Sequence, residues 1–397
     1  MECMQYIRRL LEDEIKKTIK RQKSILLLGP RQTGKSTLIK RLESNLFISL
    51  TDPKTRQRYE KNPELLDGEI KTFTATKKIK LPLIVIDEVQ KVPVLLDVAQ
   101  EIIDNHEGIF IFTGSSARKL RRESNVNLLP GRVISLRLDP LIISEIKSKE
   151  LLDILMYGSL PGIVNLPQSK LKEEELESYV TTYLEEEVRS EAIVRNLGPF
   201  GRFLELAASE SGSIINLRKL SQEIGVSHTT IASYFQILED CLIIERIEPI
   251  TKSKTRKKLT KAEKYLFFDL GVRRVAAREG IQQPRERLGM LFEQFIGLEL
   301  IRCSRMKSRK FKLRFWRDPD GPEVDWIIDN GDSYVPIETK WTDSPTKSDI
   351  KHLKVFLDEY KNSKAGYLIC QTPRKVMLDK NIFAMPWQDA NSLITSE

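Results

Sequence analysis

The sequence predicts an α/β protein built from more than one layered unit, and three observations carry that prediction. An apolar run, Ser24-Ile25-Leu26-Leu27-Leu28, leads into Gly29-Pro30-Arg31-Gln32-Thr33-Gly34-Lys35-Ser36, and a helical pattern follows. Two further apolar runs end in polar residues: Leu83-Ile84-Val85-Ile86 in Asp87-Glu88, and Gly108-Ile109-Phe110-Ile111-Phe112 in Thr113-Gly114-Ser115-Ser116. Unbroken apolar runs of this length are what strands covered on both faces of a parallel sheet require. Far downstream, Glu323-Val324-Asp325-Trp326-Ile327-Ile328 and Val335-Pro336-Ile337-Glu338-Thr339-Lys340 flank a turn at Asn330-Gly331-Asp332, which reads as a hairpin.

The first run sets the chemistry of the N-terminal part. Residues 29–36 satisfy the phosphate-loop pattern G-x-x-x-x-G-K-[ST] in its proper strand–loop–helix context. Such a loop turns backbone N–H groups and a helix N-terminus toward a phosphate. Gly29, Pro30, Arg31, Gln32, Thr33, Gly34, Lys35, Ser36 and Thr37 are therefore the nucleotide-binding candidates. Lys35 would reach the β- and γ-phosphates and the Ser36 hydroxyl would hold Mg²⁺. At the end of the next strand Asp87 would share that cation, and Glu88 would polarise the attacking water. Strand ends on this edge of a parallel sheet face the ligand crevice, so Thr113, Ser115 or Ser116 would sense the γ-phosphate. Ser116 also reads as a plain helix cap. ATP and Mg²⁺ are the cofactors these residues call for. Another strand, Val133 to Leu138, follows Gly131-Arg132.

Composition narrows the class. The chain has 397 residues, a formal net charge of +9 and four cysteines, Cys3, Cys241, Cys303 and Cys370, set far apart. A basic excess favours anionic partners such as nucleic acid, or serves solubility alone. Scattered cysteines and three histidines argue against a zinc site and suit reduced thiols in the cytoplasm. Met1 to Lys20 is charged and helical in pattern, unlike a signal peptide, and no apolar run is long enough to span a bilayer.

In the middle of the chain, Leu151 to Leu155 and Lys170 to Val194 have helical spacing and read as a helical lid. Asn196-Leu197-Gly198-Pro199 breaks that pattern. Leu217 to Ile224, then Gly225-Val226-Ser227, then a helix from His228 to Glu239 make a helix-turn-helix pattern, with Ser227 as N-cap. Ile231, Phe235, Leu238 and Leu242 share one buried face, and Thr229, Thr230, Ser233 and Gln236 stay outside. Cys241 to Arg246 and Tyr265 to Phe268 read as the strands of a wing. Between them lies the densest basic run, with Lys252, Lys254, Arg256, Lys257, Lys258 and Lys261. These suit phosphate contacts indifferent to base sequence. The second helix has no Arg or Lys, so base reading is not expected of it, and a protein-binding role for this part stays open.

In the C-terminal hairpin, a loop centred between Gly331 and Asp332 sets Asp325 opposite Glu338, an earlier centre sets it opposite Pro336 on the same face, and Glu338 shares that face with Lys340. Leu288 to Glu299 reads as a buried helix preceding it.

Taken together, Gly29–Ser36, Asp87-Glu88-Val89-Gln90-Lys91, Thr113-Gly114-Ser115-Ser116, Leu129-Pro130-Gly131-Arg132 and Tyr157-Gly158-Ser159-Leu160-Pro161-Gly162 resemble the prokaryotic AAA+-type ATP-binding proteins. That family carries a C-terminal domain of unknown function with a restriction-endonuclease-like fold. The resemblance implies an AAA+ ATPase core over residues 1–145, a helical lid over 146–198, a winged helix-turn-helix over 199–270 and a restriction-endonuclease-like domain over 271–397. It implies ATP hydrolysis in a homo-oligomer, with an arginine supplied by a neighbouring subunit. Arg132 is the first candidate, with Arg118, Arg121 and Arg122 as rivals. The C-terminal arrangement resembles the PD-(D/E)xK nuclease core, in which two carboxylates hold Mg²⁺ and the lysine positions water. By that resemblance Asp325, Glu338 and Lys340 form the site, and Glu293, or alternatively Glu299, completes it. Glu323-Val324-Asp325 stands where that core has Pro-Asp. The expected function is an ATPase that binds or remodels DNA, including branched or junction DNA. The alternatives are an ATP-gated Mg²⁺-dependent nuclease in genome defence and a non-catalytic winged-helix interaction switch.

Overall fold

The computed structural model describes residues 6–115, 131–146, 150–184, 197–251, 259–306, 311–318 and 321–394. Ser116, Arg118, Arg121 and Arg122 lie outside the described residues, as do Lys252, Lys254, Arg256, Lys257 and Lys258.

The N-terminal part is a parallel sheet of five strands: β1 (Ser24–Leu28), β2 (Leu46–Ser49), β3 (Leu83–Asp87), β4 (Ile109–Gly114) and β5 (Val133–Arg137), in the order β2-β3-β4-β1-β5. Side chains alternate between its two faces as the pleat demands. Leu26, Ile84, Ile86, Phe110 and Phe112 meet the helices Leu65–Lys77 and Leu95–Asp104 on one face. Ile25, Leu27, Val85 and Ile111 meet Leu11 and Ile15 of the first helix, and Leu38 and Ile39, on the other. Burial on both faces explains why these strands are apolar throughout. Since β4 lies between β1 and β3, the phosphate loop, the Asp87-Glu88 pair and the end of β4 converge on one sheet edge.

The middle segment is helical. Helices Leu151–Tyr157, Pro161–Val164 and Ser169–Ser178 are followed by a π-helical turn at Tyr179–Leu184, and then by helices Leu197–Ser209, Leu217–Ile224 and His228–Asp240. The long lid helix anticipated from Lys170 thus leaves regular α-geometry after Ser178. Asn216 caps the helix Leu217–Ile224, Gly225 closes it, and the Ser227 hydroxyl accepts from the Thr230 N–H at 3.1 Å to start the next. Ile231, Phe235, Leu238 and Leu242 are buried, and Thr229, Ser233 and Gln236 are exposed.

The second sheet has eight strands: β6 (Ile244–Pro249), β7 (Lys264–Phe267), β8 (Lys312–Arg317), β9 (Glu323–Asp329), β10 (Tyr334–Thr339), β11 (Gly366–Cys370), β12 (Val376–Asp379) and β13 (Ile382–Pro386), in the order β12-β13-β11-β10-β9-β8-β6-β7. Here one expectation is corrected. The strands read as a free wing are the last two of this sheet: β6 pairs antiparallel with β7 and parallel with β8, through Glu248–Arg314 and Pro249–Phe315. A boundary at residue 270 therefore does not separate two folded units. Their cores are also continuous, since one apolar cluster runs from Leu155 through Phe203 and Phe235 to Phe292 and Trp326. The helix Arg285–Met306 covers one face of the sheet and Lys351–Glu359 the other. The first lies so close that a Cβ on Gly297 would come within 2.6 Å of the Trp326 ring.

Candidate functional site

At the phosphate loop the backbone approaches its neighbours closely. A Cβ on Gly29 would stand 2.3 Å from the Leu138 carbonyl, so only glycine lets the loop leave β1 here. Lys35 is 5% exposed and its ammonium donates to the Gly29 and Pro30 carbonyls at 2.8 and 2.9 Å. These are bonds to neutral acceptors that a phosphate replaces with charge-assisted ones. Asp87, 3% exposed, accepts from the Ser36 hydroxyl at 3.1 Å and the Thr113 hydroxyl at 2.6 Å. A buried carboxylate served by hydroxyls, one of them from the phosphate-loop serine, suits a hard divalent cation. Of the other loop candidates, Gln32 and Thr37 are exposed, Arg31 and Gly34 are half-buried, and Gly29, Pro30 and Thr33 are buried.

Glu88 sits in the left-handed backbone region at φ 60°, ψ 49°, an uncommon conformation for a non-glycine residue and one that concentrates at functional positions. Its N–H donates to Thr113 Oγ1 at 3.0 Å, and its carboxylate accepts from Gln90 Nε2 at 2.5 Å and Ser115 Oγ at 3.4 Å. Gln90 Nε2 also donates to Ser115 Oγ at 3.2 Å. Thr113 therefore ties the cation carboxylate to the backbone of the water-orienting candidate, and Ser115 lies beside the same group.

Three supports of this site were not assigned a role from the sequence. Arg9 is buried, and its guanidinium donates to the Thr33 carbonyl and the Asp139 carbonyl, each at 2.7 Å, while Nε lies 3.2 Å from Glu145. Tyr179 donates its hydroxyl to the Arg31 carbonyl at 3.4 Å. Gln90 is the third. Arg132 is placed elsewhere: it precedes β5 on the sheet edge away from its own phosphate loop, in a bidentate pair with Asp104 at 2.6 and 2.9 Å.

The C-terminal residues also converge. The β9/β10 register pairs Ile337 with Trp326 and Tyr334 with Asp329, so one more step sets Glu338 across from Asp325, as the turn position predicts. The β8/β9 ladder shifts register between Arg314–Ile327 and Trp316–Val324, which leaves a bulge at Asp325-Trp326. Bulges re-aim side chains. Asp325 Oδ2 accepts from the Thr339 N–H at 2.8 Å and its hydroxyl at 2.7 Å. Loss of hydration, with Asp325 nearby, holds the Glu293 carboxyl up at about 7 although Lys264 opposes this. The same two causes push Glu338 well above the ordinary carboxylate range. Lys340 reaches Glu338 at 3.4 Å. Glu299 stands apart, accepting from the Ile143 N–H at 3.0 Å and from Asn391 at 2.8 Å, so Glu293 is the helix acid that joins the cluster. Among the described residues no three His, Cys, Asp or Glu side chains are grouped so as to hold a metal ion. Of the basic residues named in that loop, Lys261 is described, and it is exposed.

The two regions meet in a buried ion network. Asp139, just after β5, pairs with Arg137 at 2.8 Å and Arg305 at 3.0 Å, and both arginines also pair with Glu245 of β6. Burial alone would raise the Asp139 carboxyl, but these arginines overcome it and hold the group down at about 2.

Residues 21–147 match the family described as AAA domain, residues 148–283 the Domain of unknown function (DUF8612), and residues 288–390 the Domain of unknown function (DUF4143). An uncharacterized protein of Mycobacterium tuberculosis is 24% identical over 355 residues, covering 87% of this chain and 76% of that one. An uncharacterized protein of Methanocaldococcus jannaschii is 28% identical over 334 residues, covering 72% and 73%. Among solved structures, PCH-2 of C. elegans overlaps with a TM-score of 0.26 at 15% identity, covering 58% of this chain and 65% of that one. A complex of Pif1 helicases at forked duplex DNA overlaps with a TM-score of 0.24 at 14% identity, covering 46% and 54%. At these scores the overlaps add nothing to the family match. No helix among the described residues is long and apolar enough to cross a membrane. The phosphate loop, the five-stranded parallel sheet and the family match together support the AAA+-type ATPases as the family of residues 21–147, ahead of a C-terminal domain whose family has no known function.

Proposed function

We propose that the chain is a cytoplasmic, Mg²⁺-dependent AAA+ ATPase that couples ATP hydrolysis to binding or remodelling DNA, as a homo-oligomer. The observation that carries the ATPase reading is the joined set Lys35, Ser36, Asp87, Thr113 and Glu88 on one sheet edge. Lys35 leaves its loop carbonyls for the β- and γ-phosphates. Ser36 and Asp87 would hold Mg²⁺, which would neutralise charge developing on the phosphate oxygens. Glu88, held by Gln90 and Ser115 until the terminal phosphate is in place, orients the attacking water and draws off its proton. Arg132 acts across a subunit boundary, since its own loop is at the other edge of the sheet.

The DNA reading rests on charge. The basic stretch between β6 and β7 favours backbone contacts of low sequence specificity. The test is ATP turnover with and without single-stranded, duplex and junction DNA. Stimulation by one of these, lost in Glu88→Gln while ATP binding persists, is the expected result. Turnover indifferent to every DNA, with no salt-dependent DNA affinity, would leave the helix-turn-helix segment to a protein partner instead.

A second reading has its own observation. The Asp325 charge adds to the raised proton affinity of both Glu293 and Glu338, and Lys340 pairs with Glu338, which favours a metal-dependent nuclease gated by ATP. Mg²⁺-dependent cleavage abolished by Lys340→Ala would separate it from the first.

A further inference from the structure

The phosphate loop is braced from a direction that its motif does not specify. Arg9, which precedes the first helix, is 2% exposed, so its donors must be met within the protein. One arm of the guanidinium donates to the Thr33 carbonyl and the other to the Asp139 carbonyl, each at 2.7 Å. Nε lies 3.2 Å from Glu145 Oε1, which also accepts from the Leu10 N–H at 2.7 Å, while Oε2 accepts from the Ile142 N–H at 3.2 Å. A rigid fork thus joins the loop to the segment 139–145. The join reaches the lysine of the motif. The Thr33 hydroxyl donates to the Pro30 carbonyl at 2.9 Å, and Lys35 donates to that same oxygen at 2.9 Å. When a phosphate draws Lys35 away, the Pro30 carbonyl loses a charged donor and keeps its bond to Thr33, whose own carbonyl Arg9 fixes.

The helix Arg285–Met306 grips the segment 139–145 from another side. Arg305 pairs with the Asp139 carboxylate at 3.0 Å. Arg302, also buried, donates to the Leu141 carbonyl at 3.1 Å, the Ser159 hydroxyl at 2.8 Å and the Phe268 carbonyl at 2.6 Å. Glu299 accepts from the Ile143 N–H at 3.0 Å. These three are spaced three apart, so successive members are neighbours on the helix surface. Glu293 lies on the same helix. One rod therefore carries an acid of the C-terminal cluster and holds the support of the phosphate loop.

We propose that Arg9 is a positioning residue for the phosphate loop and the link through which nucleotide binding is coupled to the helix Arg285–Met306. The inference rests on the nucleotide-binding reading of the loop. Asp139 takes both ends of the link, Arg9 on its carbonyl and Arg305 on its carboxylate, so a shift at either end is felt at the other through one residue. Such coupling is reciprocal: whatever the helix contributes to nucleotide affinity, bound nucleotide returns to the helix.

The test is the dissociation constant of Mg²⁺–ATP, measured by calorimetry on the full-length chain in a Glu88→Gln background that stops turnover. Arg9→Lys keeps the charge beside Glu145 but lacks the fork that serves two carbonyls at once, and is expected to weaken ATP about tenfold. Arg305→Lys alters a group that is bonded to Asp139 and Glu245, and is expected to weaken ATP about fivefold while Arg9 is present and to add nothing once Arg9→Lys is in place. An Arg9→Lys protein that melts earlier yet binds ATP as tightly as its parent has lost a structural brace only, and overturns the proposal. So do effects of the two substitutions that simply multiply. If the variants do not fold, amide hydrogen exchange of the parent decides. Saturating Mg²⁺–ATP is expected to slow exchange at residues 299–306 about fivefold or more, and protection confined to residues 21–147 overturns the coupling. A parent that binds no ATP removes the ATPase reading too, which separates that failure from this one.

Discussion

The two carboxylate clusters of this chain use similar side chains in opposite ways. At the N-terminal site Asp87 and Glu88 are held by hydroxyls and an amide, and the nearby lysine is bonded to backbone carbonyls. These are bonds to neutral groups, which a phosphate and a cation can replace. At the C-terminal site Glu293 and Glu338 are each bonded to a lysine of the same chain. The difference teaches that an acid–lysine motif is not a site by composition alone. What decides is whether the protein's own charges already satisfy one another.

Breaking the joint between these regions should have the largest effect. Arg305→Leu strands Asp139 and Glu245 as buried charges with one partner fewer, which costs about 3–5 kcal/mol. Denaturant unfolding would measure it, and a cost near zero would mean that the network is not a joint. Next, Lys35→Ala should lower ATP turnover by about 10²–10³-fold, as loss of one charge-stabilising donor does. The same truncation of Lys340, which is half exposed, should leave ATP turnover unchanged, so steady-state assays on the pair sharpen the contrast directly.

The smallest effect is in pH. Glu293 has its folded pKa raised to about 7, so the native state holds a proton that the unfolded chain releases near 4.5. Its contribution to stability is present at low pH and is lost as pH rises from about 4.5 to 7, by on the order of 3 kcal/mol. Glu293→Gln should flatten that window in thermal melts. Asp139 has the opposite sign. With its folded pKa lowered to about 2, it stabilises above pH 3.8, and that stability disappears as pH falls toward 2. A melt series showing one slope of a single sign across both windows would erase the distinction.

Much of the architecture was legible because it is local. The strands of the first sheet announce themselves as unbroken apolar runs, and Asn330-Gly331 marks a hairpin whose register counting narrows to two choices, of which the structure takes the one with Ile337 opposite Trp326. Asp87, Glu88 and Lys35 follow from spacing. What was not legible depends on partners far away in the chain. Nothing near Arg9 says that it will grip Thr33, and nothing near Lys264 says that it will meet Glu293, because each is a lone charged residue in an ordinary context. The β9 bulge, which turns Asp325, is likewise invisible in a run that reads as regular alternation. The misplaced boundary at residue 270 has the same origin. Two short strands after a helix-turn-helix read as a wing, and only the pairing of β6 with β8 shows otherwise.

That pairing has a practical corollary. The matched families leave a gap between residues 283 and 288, an inviting place to divide the chain. Severing it there would strip β8 of its neighbour and bare a row of unmet backbone donors and acceptors on each fragment. The pieces would be sticky rather than soluble, and co-expressed halves would be expected to find each other again through that seam.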